Sequence, residues 1–185
     1  MMSVRFRHFL LVICLAFCVT ACALNPIDAE SMGATDLIGS SYKAADALSM
    51  AATQKWHQPI RQDSPILVAT LVNIDTLEAS SRLGRLIAEQ LQARFSQLGY
   101  AVVEVKLRNG TLFVKQDAGE LLLSRELKDI STTHHAKVVV VGTYAAARDK
   151  VFVNLKMVGD DNVVIGSYDY ALAQNNDVRA LLMNR

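Results

Sequence analysis

One arrangement of reactive side chains in this 185-residue sequence has the spacing its chemistry needs: Val19-Thr20-Ala21-Cys22. Arg5 and Arg7 precede it as a basic start, and residues 9–17 form an apolar run of 9. That run suits the core of a signal peptide and is too short to span roughly 30 Å of hydrocarbon as a helix. Small Ala21 offers a peptidase access before Cys22, whereas bulky Ile13 and Phe17 precede Cys14 and Cys18. The pattern reads as a bacterial lipobox. Cys22 is expected to carry a diacylglyceryl thioether, the chain to be cut before it, and the new amine to be acylated. Two or three acyl chains anchor durably where one binds marginally. Ala23, standing where an aspartate would favour the inner membrane, points the anchor to the outer membrane.

The other reactive groups fall short of a site. His134 and His135 are adjacent, so they do not share a helix face, and no cysteine or Glu-x-x-His pattern completes a metal site. Ser124, His57 and a carboxylate make a conceivable triad without the Gly-x-Ser-x-Gly elbow that would support it. Gly84 and Gly99 belong to no phosphate loop. Asp160-Asp161 lacks the alternating oxygen ligands of a calcium loop and reads as a hairpin turn. The sequence thus predicts no catalytic residue, no cofactor and no metal.

Arg82 and Arg85 fall in the first turns of a helix, where a positive charge gains nothing from the dipole. With Arg125 on a later helix they form the candidate partner surface. A solvated face, with Arg85 beside Glu89 one turn on, is the favoured account of the first two. Tyr144, Tyr168 and Tyr170 fall on neighbouring strands, either as interface aromatics or as core residues with a hydroxyl at the edge.

Removing residues 1–21 from the 185 leaves 164, enough for one domain and its tether. The removed segment carries two of 19 basic residues and none of 18 acidic ones, which leaves the mature chain at −1. A clustered basic excess is absent, which argues against a nucleic-acid surface. Two of the 3 cysteines leave with the signal and the third is lipidated, so packing alone must hold the fold in an oxidising compartment.

Four segments follow from these signals: 1–21 as lipoprotein signal, 22–34 as lipidated tether, 35–64 as N-terminal helix and connector, and 65–185 as the main domain. A helix capped at Thr35 or Asp36 should run to about Gln54, with Leu37, Ile38, Ala45, Leu48 and Ala52 inward. Residues 66–74 are apolar on both alternating faces, as in a central strand covered on both sides. Next, Leu83, Leu86, Ile87, Gln90, Leu91, Arg94, Phe95 and Leu98 follow helical spacing between a Ser80 or Ser81 cap and a Gly99 stop.

Residues 101–107 predict a strand, and Asn109-Gly110 before residues 111–115 predicts a hairpin. A helix is expected over about 120–133, then strands over 138–144, 151–158 and 163–172, the last two joined by a short turn. A short final helix over 178–183 would be capped by Asn176 or Asp177. The order predicts a single α/β (α+β) domain, a mixed sheet flanked by helices and ending in a three-strand antiparallel meander.

Several segments carry a resemblance that spans most of the mature domain. They are Ile-Leu-Val-Ala-Thr-Leu-Val-Asn-Ile-Asp at 66–75, Ser-Ser-Arg-Leu-Gly-Arg-Leu-Ile-Ala-Glu-Gln-Leu at 80–91, Gly-Tyr at 99–100 and Val-Glu-Val-Lys-Leu-Arg at 103–108. Gly-Glu-Leu-Leu-Leu-Ser-Arg-Glu-Leu at 119–127, Val-Val-Gly-Thr-Tyr at 140–144, Val-Asn-Leu-Lys at 153–156 and Asp-Tyr-Ala-Leu at 169–172 continue the same order. Together they resemble the FlgO domain of outer-membrane lipoproteins linked to the bacterial flagellum. The arrangement is also similar to the N-terminal domain of TolB and to CsgG-like and LpoB-like periplasmic lipoproteins. The resemblance implies a non-catalytic protein needed for flagellar assembly, stability or motility, bound to the membrane through its lipid and to other flagellar or envelope proteins, as a homo-oligomer or ring. An assembly or activator role for another envelope machine is the alternative, and an enzyme a more distant one.

Overall fold

The computed structural model describes residues 35–57, 59–60, 64–77, 79–105, 113–115, 121–123 and 125–183. The Cys22 lipobox, the tether and the Asn109-Gly110 turn lie outside the described residues. The fold is mixed α+β, with helices against a mixed sheet.

Helix α1, Leu37–Trp56, opens on Asp36, whose Oδ1 accepts the Gly39 N–H at 2.7 Å. Its inner face is made of small residues, Ser41, Ala44, Ala45, Ser49 and Ala52 around Leu48, so the helix lies close on the sheet. Ile38, expected inward, is 57% exposed, because that face turns away over the first helical turn.

Strand β1, Ile66–Ala69, is buried throughout. The strand expected over 66–74 is interrupted at residues 70–71 and resumes as β2, Val72–Asn73. Between them the Leu71 carbonyl turns aside and accepts the Ser80 hydroxyl at 2.6 Å. Helix α2, Arg82–Gln97, then begins on Ser81, whose Oγ accepts the Gly84 N–H at 3.2 Å. It stops at Gly99, whose φ of 88° is the left-handed backbone that favours glycine.

Strand β3, Val102–Val105, returns parallel to β1. Strands β4, Phe113–Lys115, and β5, Leu121–Leu123, pair antiparallel as a separate two-stranded sheet. This corrects two expectations. Residues 121–123 are a strand rather than the opening of a helix, and 113–115 pair with them rather than with the strand before. A three-leucine run fits either state, and periodicity cannot separate the two over so few residues. Helix α3 accordingly starts later and spans Arg125–Thr133.

Strands β6, Val138–Ala146, β7, Lys150–Gly159, and β8, Val164–Ala173, form the expected meander. Helix α4, Asn176–Leu182, ends the described chain and is capped by Asn175, one residue before the nearer candidate. The strand order is β3-β1-β6-β7-β8, with β2 also on β6. Pairing is parallel from β3 through β6 and antiparallel from β6 through β8.

Two apolar cores follow. The larger packs α1, α2 and α4 on one face of the sheet and includes Leu48, Val68, Leu91, Phe95, Leu155 and Met157. The smaller, on the other face, gathers Leu67, Ala69, Val139 and Val141 against Ile130 of α3. β7 alternates buried and exposed along most of its length, so its outer residues Phe152, Asn154 and Lys156 face solvent.

Candidate functional site

The candidate arginines separate once placed. Arg82 is half-buried, and its Nη2 donates to the Ala180 carbonyl in the last turn of α4. A carbonyl there lacks a helical partner, so the guanidinium caps α4 and ties it to the start of α2. Arg85, one turn on, is exposed, as is Glu89. The side chain of Arg125 lies outside the described residues.

In open α/β sheets ligands bind beyond the carboxyl ends of strands where the chain crosses to opposite faces. Here that place is β1, with β3 on one side and β6 on the other. Among the described residues, Leu71, Ser80 and Tyr144 pack closely around Gly84 on its β6 side. A Cβ on Gly84 would meet the Leu71 carbonyl oxygen at 2.5 Å, the Ser80 Oγ at 2.8 Å and the Tyr144 ring at 3.1 Å. Tyr144 itself is buried, a core residue rather than an exposed aromatic.

A polar seam joins α1 to α2. Arg94 donates Nε and Nη2 to the two Asp46 oxygens at 2.8 and 3.0 Å, and its Nη1 reaches Gln97 Oε1 at 3.3 Å. Gln97 Nε2 donates to the Tyr42 hydroxyl at 3.0 Å, and the Arg94 guanidinium lies 5.6 Å from the centre of the Tyr42 ring. The Asp46 hydrogen bonds hold Arg94 protonated above its ordinary range. Deeper in, the Ser41 hydroxyl donates to Gln90 Oε1 at 2.8 Å. Gln90 and Arg94 fall on the apolar spacing of α2, so their polarity was the visible signal of this seam.

Tyr168 and Tyr170 on β8 are half-buried with ring centroids 6.0 Å apart. Burial pushes the Tyr170 hydroxyl up to about 12, against a weaker opposing pull from Ser41. That hydroxyl makes no well-aligned hydrogen bond among the described residues.

His134 and His135 are exposed at the end of α3, where His135 adopts the left-handed conformation that closes the helix. His57 closes α1 in the same way, while Ser124 lies outside the described residues. Asp161 Oδ1 accepts the Val163 N–H at 3.0 Å, and Asp160 pairs with Lys137 at 2.6 Å, which makes this segment the β7–β8 turn. Among the described residues no cluster of His, Cys, Asp or Glu could hold a metal ion, and no helix is long and apolar enough to cross a membrane.

The model described as FlgO protein matches residues 42–177, well over half of the chain. The chain belongs to the FlgO family. The match takes in α2, the whole six-stranded sheet and most of α1. No curated protein matches this sequence. Among solved structures, the C-terminal domain of LpoB from Salmonella enterica is similar at 16% identity, with a TM-score of 0.45, over 70% of this chain and 97% of its own. The PelC dodecamer from Paraburkholderia phytofirmans is similar at 13% identity, with a TM-score of 0.39, over 60% and 71%. Lipoprotein GNA1162 from Neisseria meningitidis is similar at 14% identity, with a TM-score of 0.41, over 62% and 83%.

Proposed function

We propose that this FlgO-family chain is a lipoprotein anchored through Cys22 to the outer membrane, with its folded unit in the periplasm. There it supports flagellar assembly, stability or motility by binding other proteins rather than by catalysis. Residues 1–21 act as the signal and 22–34 as the tether. The family match over residues 42–177 carries this reading, and the lipobox ahead of it supplies the address. The anchor contributes to the mechanism, because confinement to a surface raises the effective concentration of every copy. Exposed Arg85 is available to a partner, whereas Arg82 is committed to α4.

Fractionation of cells producing the tagged chain tests the anchor: wild type should sediment with outer membranes and Cys22→Ala should be released. Deletion should lower swimming or flagellar number, and pull-down from solubilised envelopes should recover basal-body components. Unchanged swimming and flagellation, or recovery of cell-wall synthase or secretion-pore subunits instead, would overturn the flagellar reading in favour of another envelope machine.

A further inference from the structure

Among the described residues β8 pairs with β7 on one side only, leaving a ten-residue edge strand whose sequence, Val-Ile-Gly-Ser-Tyr-Asp-Tyr-Ala-Leu-Ala, holds neither lysine nor proline. Edge strands are ordinarily blunted by such residues, because their unpaired N–H and C=O groups template further pairing. The phase of the ladder says which groups are open. Gln174 N–H donates to the Asp149 carbonyl at 2.9 Å, and Ala173 is opposite Lys150. Alternate residues of an antiparallel strand bond to the same neighbour, so the even-numbered residues of β8 bond to β7. The N–H and C=O groups of Ser167, Asp169 and Ala171 point away from it. The outward carbonyl of Ala173 is already taken, by the Thr35 hydroxyl at 2.8 Å and the Asn175 N–H at 3.0 Å.

We propose that β8 is the seam of a two-fold homodimer, in which the β8 strands of two copies pair antiparallel about Tyr168 and continue one sheet across both. Only a second copy supplies a strand complementary by symmetry, and the charges select the register. A two-fold axis perpendicular to the sheet passes through one residue of each strand, because paired residues must share a face. An axis at Asp169 sets two carboxylates opposite each other, which is destabilising. An axis at Tyr170 sets Asp169 opposite Ala171 of the second copy, with Phe152 beyond it. An axis at Tyr168 sets Asp169 opposite Ser167, whose neighbour on β7 is Lys156. A lysine reaches across one short serine, so each Lys156 meets the Asp169 of the other copy. The outward groups of Ser167 and Asp169 then exchange hydrogen bonds in both directions. The two Tyr168 residues form the closer, non-hydrogen-bonded pair, with Cα atoms about 4.5 Å apart.

Helix α1 is built to allow this approach. Its Tyr42 and Asp46 flank is turned to α2. On the β8 side Ala51 lies so close that a Cβ on Gly166 would meet its methyl at 3.2 Å. Ala47, one turn before Ala51, continues that flank, and Ser40 two turns before Ala47 does so too. All three are small and half-buried, so the part of this flank nearest the sheet carries short side chains, and the long exposed side chains that border it, Lys43 and Gln54, lie on its solvent side.

Light scattering on the detergent-extracted full-length protein tests the dimer. Wild type should have twice the protein mass of Asp169→Pro, which removes an outward N–H that the monomer does not use and should keep the wild-type circular dichroism. Lys156→Asp should lower the dimer fraction severalfold, and Lys156→Asp with Asp169→Lys should restore it. In intact membranes Tyr168→Cys should form an oxidant-dependent disulfide dimer and Tyr170→Cys should not. A monomeric wild type, an Asp169→Pro dimer, or cross-linking through Tyr170→Cys instead would overturn the proposal.

Discussion

Gly84→Ala probes the joint between β1 and α2, on which the placement of Arg82 and Arg85 depends. The added methyl would sit 2.5 Å from the Leu71 carbonyl oxygen and 2.8 Å from Ser80 Oγ. A carbon beside a carbonyl oxygen settles at about 3.3 Å or more, so helix and strand must part by roughly 0.8 Å at this point. Overpacking of this kind costs about 1–3 kcal/mol. The Ser80 to Leu71 bond at 2.6 Å lies across the same gap, and its loss adds about 1 kcal/mol. Against this, alanine is the better helix former by up to ~1 kcal/mol. The balance is a destabilisation of about 2 kcal/mol, or a melting temperature lower by roughly 4–8 °C for a unit of this size. Thermal denaturation followed at the far-ultraviolet helix band measures it, with exposed Glu89→Ala on the same helix as a near-neutral control. If Gly84→Ala melts at or above wild type, the close approach of Leu71 to α2 does not constrain the joint.

Three further predictions concern other contacts. Tyr170 titrates near 12 in the fold against about 10 unfolded, so its contribution is complete below pH 10 and lost as the pH rises towards 12. Between pH 9 and 11 wild type should lose about 1 kcal/mol more than Tyr170→Phe in urea melts, and equal losses would contradict the burial of that hydroxyl. Arg94→Ala should destabilise the fold by loosening α1 from α2, and the deficit should shrink in high salt; a salt-independent deficit would assign it to packing. Arg82→Ala should leave α4 uncapped and speed proteolysis near the C-terminus, detectable as early cleavage after residue 175 in limited digestion.

Much of this architecture was legible because period and punctuation agreed. β7 alternates apolar and polar over residues 153–157, and α2 has both a serine cap and a glycine stop, so each element could be read alone. The misreadings share a cause. The turn of the Leu71 carbonyl towards Ser80, the pairing of Leu121–Leu123 with β4 and the outward face of Ile38 depend on what another part of the chain supplies. Arg82 is the clearest case at the candidate site, because its partner carbonyl is 98 residues away. Gln90 and Arg94 were visible as polar residues on an apolar stripe. What they bonded was not, since the inward set of α1, Leu37, Ile38, Ala45, Leu48 and Ala52, does not say that Ser41 and Asp46 would face α2.

The chain enters its fold at Thr35, whose hydroxyl is bonded to the last residue of β8, and passes directly into α1. The first contacts to bear a load from the N-terminal side are therefore the Thr35 hydroxyl bond to β8 and the packing of a 20-residue helix on the sheet. Freeing that helix means giving up the Leu48 and Ala52 packing and the Asp46–Arg94 pair as well. The helix that receives the chain from its N-terminal side is thus also one that the sheet and α2 both hold.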